Sequence, residues 1–231
     1  MSTDKFSECR AILFDYGGTL DSDGERWPDR FYALYTEAGI DIPREEIKRA
    51  FYYAEDCCYA DPKVTALGHR ALMGAHVHLQ FEALGLKESR KERELADKFC
   101  ATSERFLVRA GRLLKRAKTR YRLGIVSNFY GNLAGLLKEA GLMGFLDVVV
   151  DSNRVGAQKP DPKIFRLALA QLDLLARQVI FVGDSYERDM IPSRELGMKT
   201  IWLMGPHSGT VVTSEVDACI SSLSELEALI L

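Results

Sequence analysis

Four short apolar runs, each stopping abruptly at a small or acidic residue, constrain this chain more than any other feature. They are Ala11-Ile-Leu-Phe14 before Asp15, Leu123-Gly-Ile-Val126 before Ser127, Val148-Val-Val150 before Asp151, and Val179-Ile-Phe-Val182 before Gly183-Asp184. A strand that is apolar on both faces has to be covered on both, which is the situation of a central strand in a parallel sheet. Thr200-Ile-Trp-Leu-Met204 is a fifth run of this kind and Ala218-Cys-Ile220 a short sixth. Between them apolar residues recur at helical spacing. Leu133, Leu136, Leu137 and Ala140 stop at Gly141, and Phe165, Ala168, Leu169 and Leu172 follow an Asp161-Pro162 start. Alternating strands and helices predict an α/β fold, a doubly wound parallel sheet with strands near 10–15, 121–126, 147–151, 178–183, 199–204 and 217–220.

The long stretch after the first strand lacks any comparable run and carries helical patterns near 28–39, 43–57, 66–84 and 88–107. An inserted all-helical domain at 21–108 is therefore expected, with residues 1–20 and 109–231 forming the core. Apolar residues at 47% and charged residues at 28% suit a packed protein and argue against disorder. A net charge of −2 offers no electrostatic footprint for nucleic acid or for an anionic membrane. The five cysteines (Cys9, Cys57, Cys58, Cys100 and Cys219) lack C-x-x-C spacing and read as reduced, buried thiols. With no apolar run of membrane-span length and a polar start, a cytoplasmic protein is expected, as a monomer or homodimer.

Ligands of an open parallel sheet bind beyond the carboxyl ends of its strands, and the polar residues of this chain concentrate there. Those ends offer Asp15-Tyr-Gly-Gly-Thr19, then Ser127-Asn128, then Lys159-Pro-Asp-Pro162, then Gly183-Asp-Ser-Tyr-Glu-Arg-Asp189. Together they supply carboxylates for a hard cation, a hydroxyl and amides for phosphate oxygens, and an ammonium to offset negative charge. Singly, each segment reads as an ordinary turn, cap or surface loop. Their joint order after strands points to phosphoryl transfer.

The four segments resemble, in order, the four motifs of the haloacid dehalogenase superfamily. That resemblance implies Asp15 as a nucleophile taking a phosphoryl group, Ser127 as its hydrogen-bonding partner and Lys159 as the cation that orients Asp15. It also implies a Mg²⁺ site made of Asp15, Asp184, Asp189 and the backbone carbonyl of Gly17, with Gly18, Thr19, Ser127, Asn128 and Lys159 available to the substrate. The helical insert would be a mobile cap, and a small phosphorylated metabolite the substrate.

One position departs from the resemblance. Phosphatases of the superfamily carry a second aspartate two residues after the nucleophile, and here that position is Gly17. The missing carboxyl is a general acid, a role worth about 10²–10⁴-fold in rate. Three readings follow. A phosphatase could favour good leaving groups, or borrow Tyr16, Asp21, Asp23 or a cap residue as its acid. Dehalogenase or phosphonatase chemistry, which also lacks that aspartate, is the second. A binding or regulatory protein that keeps the cation site but little turnover is the third. Putting a carboxyl back with Gly17→Asp is expected to raise alkyl-phosphate turnover. His76 and His78 lie two apart and point to different faces of a helix, so they do not form a helical metal pair. His69, Arg70 and the stretch Glu55 to Asp61 are candidates to face the substrate, Tyr52, Tyr53 and Tyr59 are expected to pack between helices, and His207 has no assigned role.

Overall fold

The computed structural model describes residues 3–205 and 215–230. The predicted strands are present as β1 (Ala11–Phe14), β2 (Arg122–Ser127), β3 (Val148–Asp151), β4 (Val179–Gly183), β5 (Lys199–Leu203) and β6 (Ala218–Ile220). They form one parallel sheet in the order β3-β2-β1-β4-β5-β6. The chain leaves β1 in one direction for β2 and β3 and returns to its other side for β4, so β1 marks the switch point where a crevice opens at the carboxyl edge. Phe14 is paired with both Ile125 and Val182. Asp15 is therefore level with Val126 and Gly183, and Ser127 and Asp184 come one residue further along.

Alternate residues of the strands go to opposite faces, as the pleat requires. Ile12, Phe14, Leu123, Ile125, Ile180 and Val182 join one core, and Ala11, Leu13, Val126, Val179 and Phe181 join the other. The second core is closed by α7 (Pro162–Leu172), which Asp161 caps by accepting from the Lys163 amide, and by the region of the short α8 (Ile191–Glu195). The first core is closed by α5 (Leu133–Glu139) and α9 (Leu223–Ile230), and it continues into the four helices between β1 and β2. The four-residue α6 (Ser152–Val155) follows β3 directly.

Those four are α1 (Trp27–Glu37), α2 (Arg44–Ala60), α3 (His69–Ala83) and α4 (Ser89–Ala117). α4 runs unbroken through the expected boundary at 108/109, because its apolar stripe passes from Leu95 and Phe99, facing the other three helices, to Leu113 and Leu114 beside the sheet. An aromatic cluster fills the helical group: Phe31 stacks on Phe99 at 4.6 Å and on His76 at 5.7 Å. His78, on the opposite side of α3, is exposed and meets Glu92. Tyr52, Tyr53 and Tyr59 do not pack between helices as expected: they are 37%, 50% and 37% exposed, because the stripe that α2 buries is Ile47, Ala50, Phe51, Ala54 and Cys58. His207 lies outside the described residues.

A buried ion pair ties the helices to the sheet. Arg30 Nη1 donates to Asp21 Oδ2 at 3.0 Å, and its Nη2 donates to the Phe99 carbonyl and to Ser103 Oγ. Asp21 also accepts from Trp27 Nε1 at 2.7 Å and from the Gly18 amide at 2.8 Å, so its charge is spread over four donors. Removing one member of such a pair leaves the other charge buried, at a cost of roughly 3–5 kcal/mol.

Burial holds His76 at a pKa of about 3, well below the ordinary 6.5, so the ring is neutral in the folded protein. The unfolded chain takes up a proton below that ordinary value while the folded chain does not, so His76 costs stability as pH falls from the unfolded toward the folded pKa. Between pH 7 and pH 5 the cost is about 2 kcal/mol. Urea unfolding at those two pH values should show His76→Phe losing about 2 kcal/mol less than the wild type; an identical loss in both proteins would contradict this reading of the ring.

Candidate active site

At the carboxyl edge of the sheet, Asp15 follows β1 and its carboxyl is held by three donors on one oxygen. Oδ1 accepts from Ser127 Oγ at 2.7 Å, from the Tyr16 amide at 2.8 Å and from Lys159 Nζ at 2.8 Å. Among the described residues no donor meets the other oxygen, so the carboxyl plane is fixed while Oδ2 stays uncommitted. Lys159 also donates to Asp189 Oδ1 at 2.6 Å, and the second oxygen of Asp189 accepts from the Ser185 amide at 3.0 Å. Asp184 Oδ1 accepts from Thr19 Oγ1 at 3.1 Å. Asn128 holds the lysine's backbone at both ends: its Nδ2 donates to the Lys159 carbonyl at 2.9 Å and its Oδ1 accepts from the Lys159 amide at 2.7 Å.

Asp15, Asp184 and Asp189 each bring a carboxylate oxygen within 4.8 Å of the others. Three carboxylates face one ammonium. Burial, followed by the charges of Asp15 and Asp189, pushes Asp184 well above the usual carboxylate range. Asp189 is raised by burial against the opposing pull of Lys159. Burial alone would lower Lys159, but Asp15 and Asp189 outweigh it and hold the ammonium above its ordinary value. Two glycines make room for the cluster. A Cβ at Gly18, where φ is +89°, would lie 2.6 Å from the Asp184 carboxyl, and one at Gly183 would lie 2.4 Å from that of Asp189.

Above this floor is a cavity of about 500 Å³. Asp15, Gly17, Ser127, Asn128, Lys159 and Asp184 reach it, while Asp189, Gly18 and Thr19 do not. Asp189 and Thr19 are fully buried beneath, and the Gly18 amide is committed to Asp21. The expected site residues therefore come together in two layers. α1 and α2 supply the opposite wall, with Trp27, Phe51, Tyr52 and Glu55.

Position 17 is occupied in a way the sequence did not announce. The indole of Trp27 lies 3.3 Å from where a Cβ at Gly17 would be, and the same indole donates to Asp21. A side chain at 17 would press on that ring, which would have to give by a few tenths of an ångström. The proposed substitutes for the missing acid are also removed from the cavity. Tyr16 is fully buried, and burial followed by the Asp21 charge pushes its phenol far up; Asp21 is enclosed by its four donors; Asp23 Oδ1 accepts from the Leu223 amide. Nor do His69 and Arg70 face it: the His69 amide donates to Glu139, and Arg70 pairs with Asp97 and Glu104 on the surface of α4.

Fold and floor together define a doubly wound α/β protein with a buried, acidic cleft at its topological switch point. A family model described as haloacid dehalogenase-like hydrolase matches residues 9–197. The chain belongs to that family. The phosphoserine phosphatase of Thermus thermophilus is 30% identical over 205 residues, covering 84% of this chain and 81% of its own. Haloacid dehalogenase-like hydrolase domain-containing protein 3 of Danio rerio is 36% identical over 107 residues, 46% of this chain and 44% of its own. The chain spans about half or less of the length of most of the first curated relatives it matches. Among solved structures, the HAD-hydrolase YfnB from Bacillus subtilis bound to magnesium superposes with a TM-score of 0.59 at 18% identity, over 96% of this chain and 98% of its own. The L-2-haloacid dehalogenase PA0810 does so with a TM-score of 0.60 at 21% identity, over 95% and 97%. At those identities the two structures speak for the fold alone.

The glycine at 18 is a steric requirement of the acidic floor. Gly18→Ala should cost at least about 2 kcal/mol, since it adds a left-handed backbone penalty to a collision with Asp184. Gly74→Ala, in the middle of α3 with nothing within 4 Å, should be neutral or gain up to about 1 kcal/mol. Urea melts of the two variants check this, and equal stabilities would refute it.

Proposed function

We propose that this hydrolase is a Mg²⁺-dependent phosphatase of small phosphorylated metabolites, working through an aspartyl-phosphate on Asp15. The observation that carries the reading is the convergence of Asp15, Asp184 and Asp189 around a single ammonium. Such a cluster of hard oxygen donors, with Asp184 raised by burial and then by the charges of Asp15 and Asp189, suits a divalent cation. Asp15, Asp184, the Gly17 carbonyl and Asp189 would hold Mg²⁺. When bound, the ion supplies Lewis-acid stabilisation of charge on a phosphoryl oxygen.

The remaining work belongs to the chain. Ser127, the Tyr16 amide and Lys159 fix the Asp15 carboxyl so that its uncommitted oxygen attacks phosphorus along a set direction. Lys159, with two of its three N–H donors on Asp15 and Asp189, keeps a third for the phosphoryl group, and Asn128 keeps the lysine in register by gripping its backbone. Splitting the displacement into formation and hydrolysis of an acyl phosphate replaces one high barrier by two lower ones. Helices α1–α4 act as a cap that closes the cavity over the substrate and excludes water.

With Mg²⁺, the purified protein should hydrolyse acetyl phosphate and para-nitrophenyl phosphate, lose that activity in a chelator, and lose at least about 10³-fold in kcat for Asp15→Asn. Binding of Mg²⁺ without turnover of either ester would instead favour a regulatory protein on the same fold.

A further inference from the structure

Resting on the phosphatase reading, we propose that Glu55 of α2 is the proton donor to the leaving group, supplied across the cavity in place of the carboxyl absent at Gly17. α2 presents one stripe to the cavity, running from Arg44 through Lys48, Phe51 and Tyr52 to Glu55, which is the spacing of a single helix face. Arg44, at one end of this stripe, is held by Asp29 of α1. Glu55, at the other end, lines the cavity together with Arg188 and Tyr130. Arg188 immediately precedes Asp189, and Tyr130 lies three residues beyond Ser127. Glu55 thus shares the cavity with residues of the two loops that carry the floor of the site.

The other carboxyls that reach the cavity are unsuited to the task. Asp15 and Asp184 belong to the acidic floor. Asp29 is clamped by Arg26 and Arg44, and despite its partial burial those partners keep it below the usual carboxylate range, hence anionic. Glu45 and Glu187 are exposed. Glu55 is half-buried, and among the described residues its carboxyl has neither a hydrogen-bond partner nor an ion pair. Burial raises its pKa; Arg188 pulls the other way and Asp56 adds to the rise, and Tyr130 and Cys58 beside it are neutral. A carboxyl that is uncommitted and holds its proton more tightly than a free one is what an acid catalyst requires.

The step balances. An Asp15 carboxylate oxygen bonds to phosphorus, the phosphorus–ester oxygen bond breaks with its electron pair on oxygen, and the Glu55 proton passes to that oxygen to release the alcohol. The resulting carboxylate then takes a proton from the water that attacks the aspartyl-phosphate. The water oxygen bonds to phosphorus as the Asp15 oxygen–phosphorus bond breaks with its electron pair on Asp15, so phosphate is released, the Asp15 carboxylate is regenerated and Glu55 is protonated again.

The test is a series of aryl phosphates, from dinitrophenyl to unsubstituted phenyl phosphate, together with acetyl phosphate, for wild type, Glu55→Gln and Glu55→Asp in Mg²⁺. A donor role predicts that Glu55→Gln lowers kcat/KM for phenyl phosphate by about 10²-fold or more and changes acetyl and dinitrophenyl phosphate by no more than about twofold. Glu55→Asp should recover part of the loss. An equal fall across the series marks a structural or binding role and overturns the proposal, as does no fall at all. A wild type inactive on every ester overturns the phosphatase reading itself, and the role of Glu55 falls with it.

Discussion

The rest of the site depends on an imbalance of charge: three buried carboxylates and one buried ammonium at the carboxyl edge of a parallel sheet. Like charges this close resist burial, so each is tied down individually. Asp15 has three donors on one oxygen, Asp184 has Thr19, and Asp189 has Lys159 and the Ser185 amide. The glycines at 18 and 183 exist because a methyl group at either would collide with a carboxyl. Asn128 contributes by holding the lysine that all of this requires. The excess negative charge is what a divalent cation would offset, and on the proposed reading it is what lets an anionic nucleophile meet an anionic phosphate.

A second network links the helices to position 17. Asp21, Arg30, Ser103 and Trp27 are joined in one buried cluster, and its indole stands beside position 17. A side chain at 17 would meet a ring that helps anchor α1. The gain expected from Gly17→Asp is accordingly reduced by whatever it costs to move the indole. This is also why a proton donor is better sought on the facing wall of the cavity than in the loop after β1.

The strands were legible because each is apolar on both faces and ends in a polar residue, a pattern that leaves little choice of sheet position. The floor was legible for the same reason, since Asp15 and Asp184 directly follow strands, Ser127 ends one, and the register fixes their levels. What the sequence hid were contacts that close over long separations. Nothing local to Asp21 announces Arg30 and Ser103 as partners, so it was open to being read as a spare acid. Gly18 and Thr19 looked available to a substrate, whereas one spends its amide on Asp21 and the other its hydroxyl on Asp184. The tyrosines of α2 were expected inside because aromatic residues carry large apolar area, yet the helix needs only one apolar stripe and Phe51 and Ala54 already supply it.

Calorimetric titration of the metal-free protein and of Asp184→Asn with Mg²⁺ tests the acidic floor most directly. A cation site predicts saturable one-to-one binding to the wild type and an affinity on the order of tenfold or more lower in the variant, whose floor has lost one anionic ligand. No binding to the wild type, or equal binding to both proteins, would contradict it.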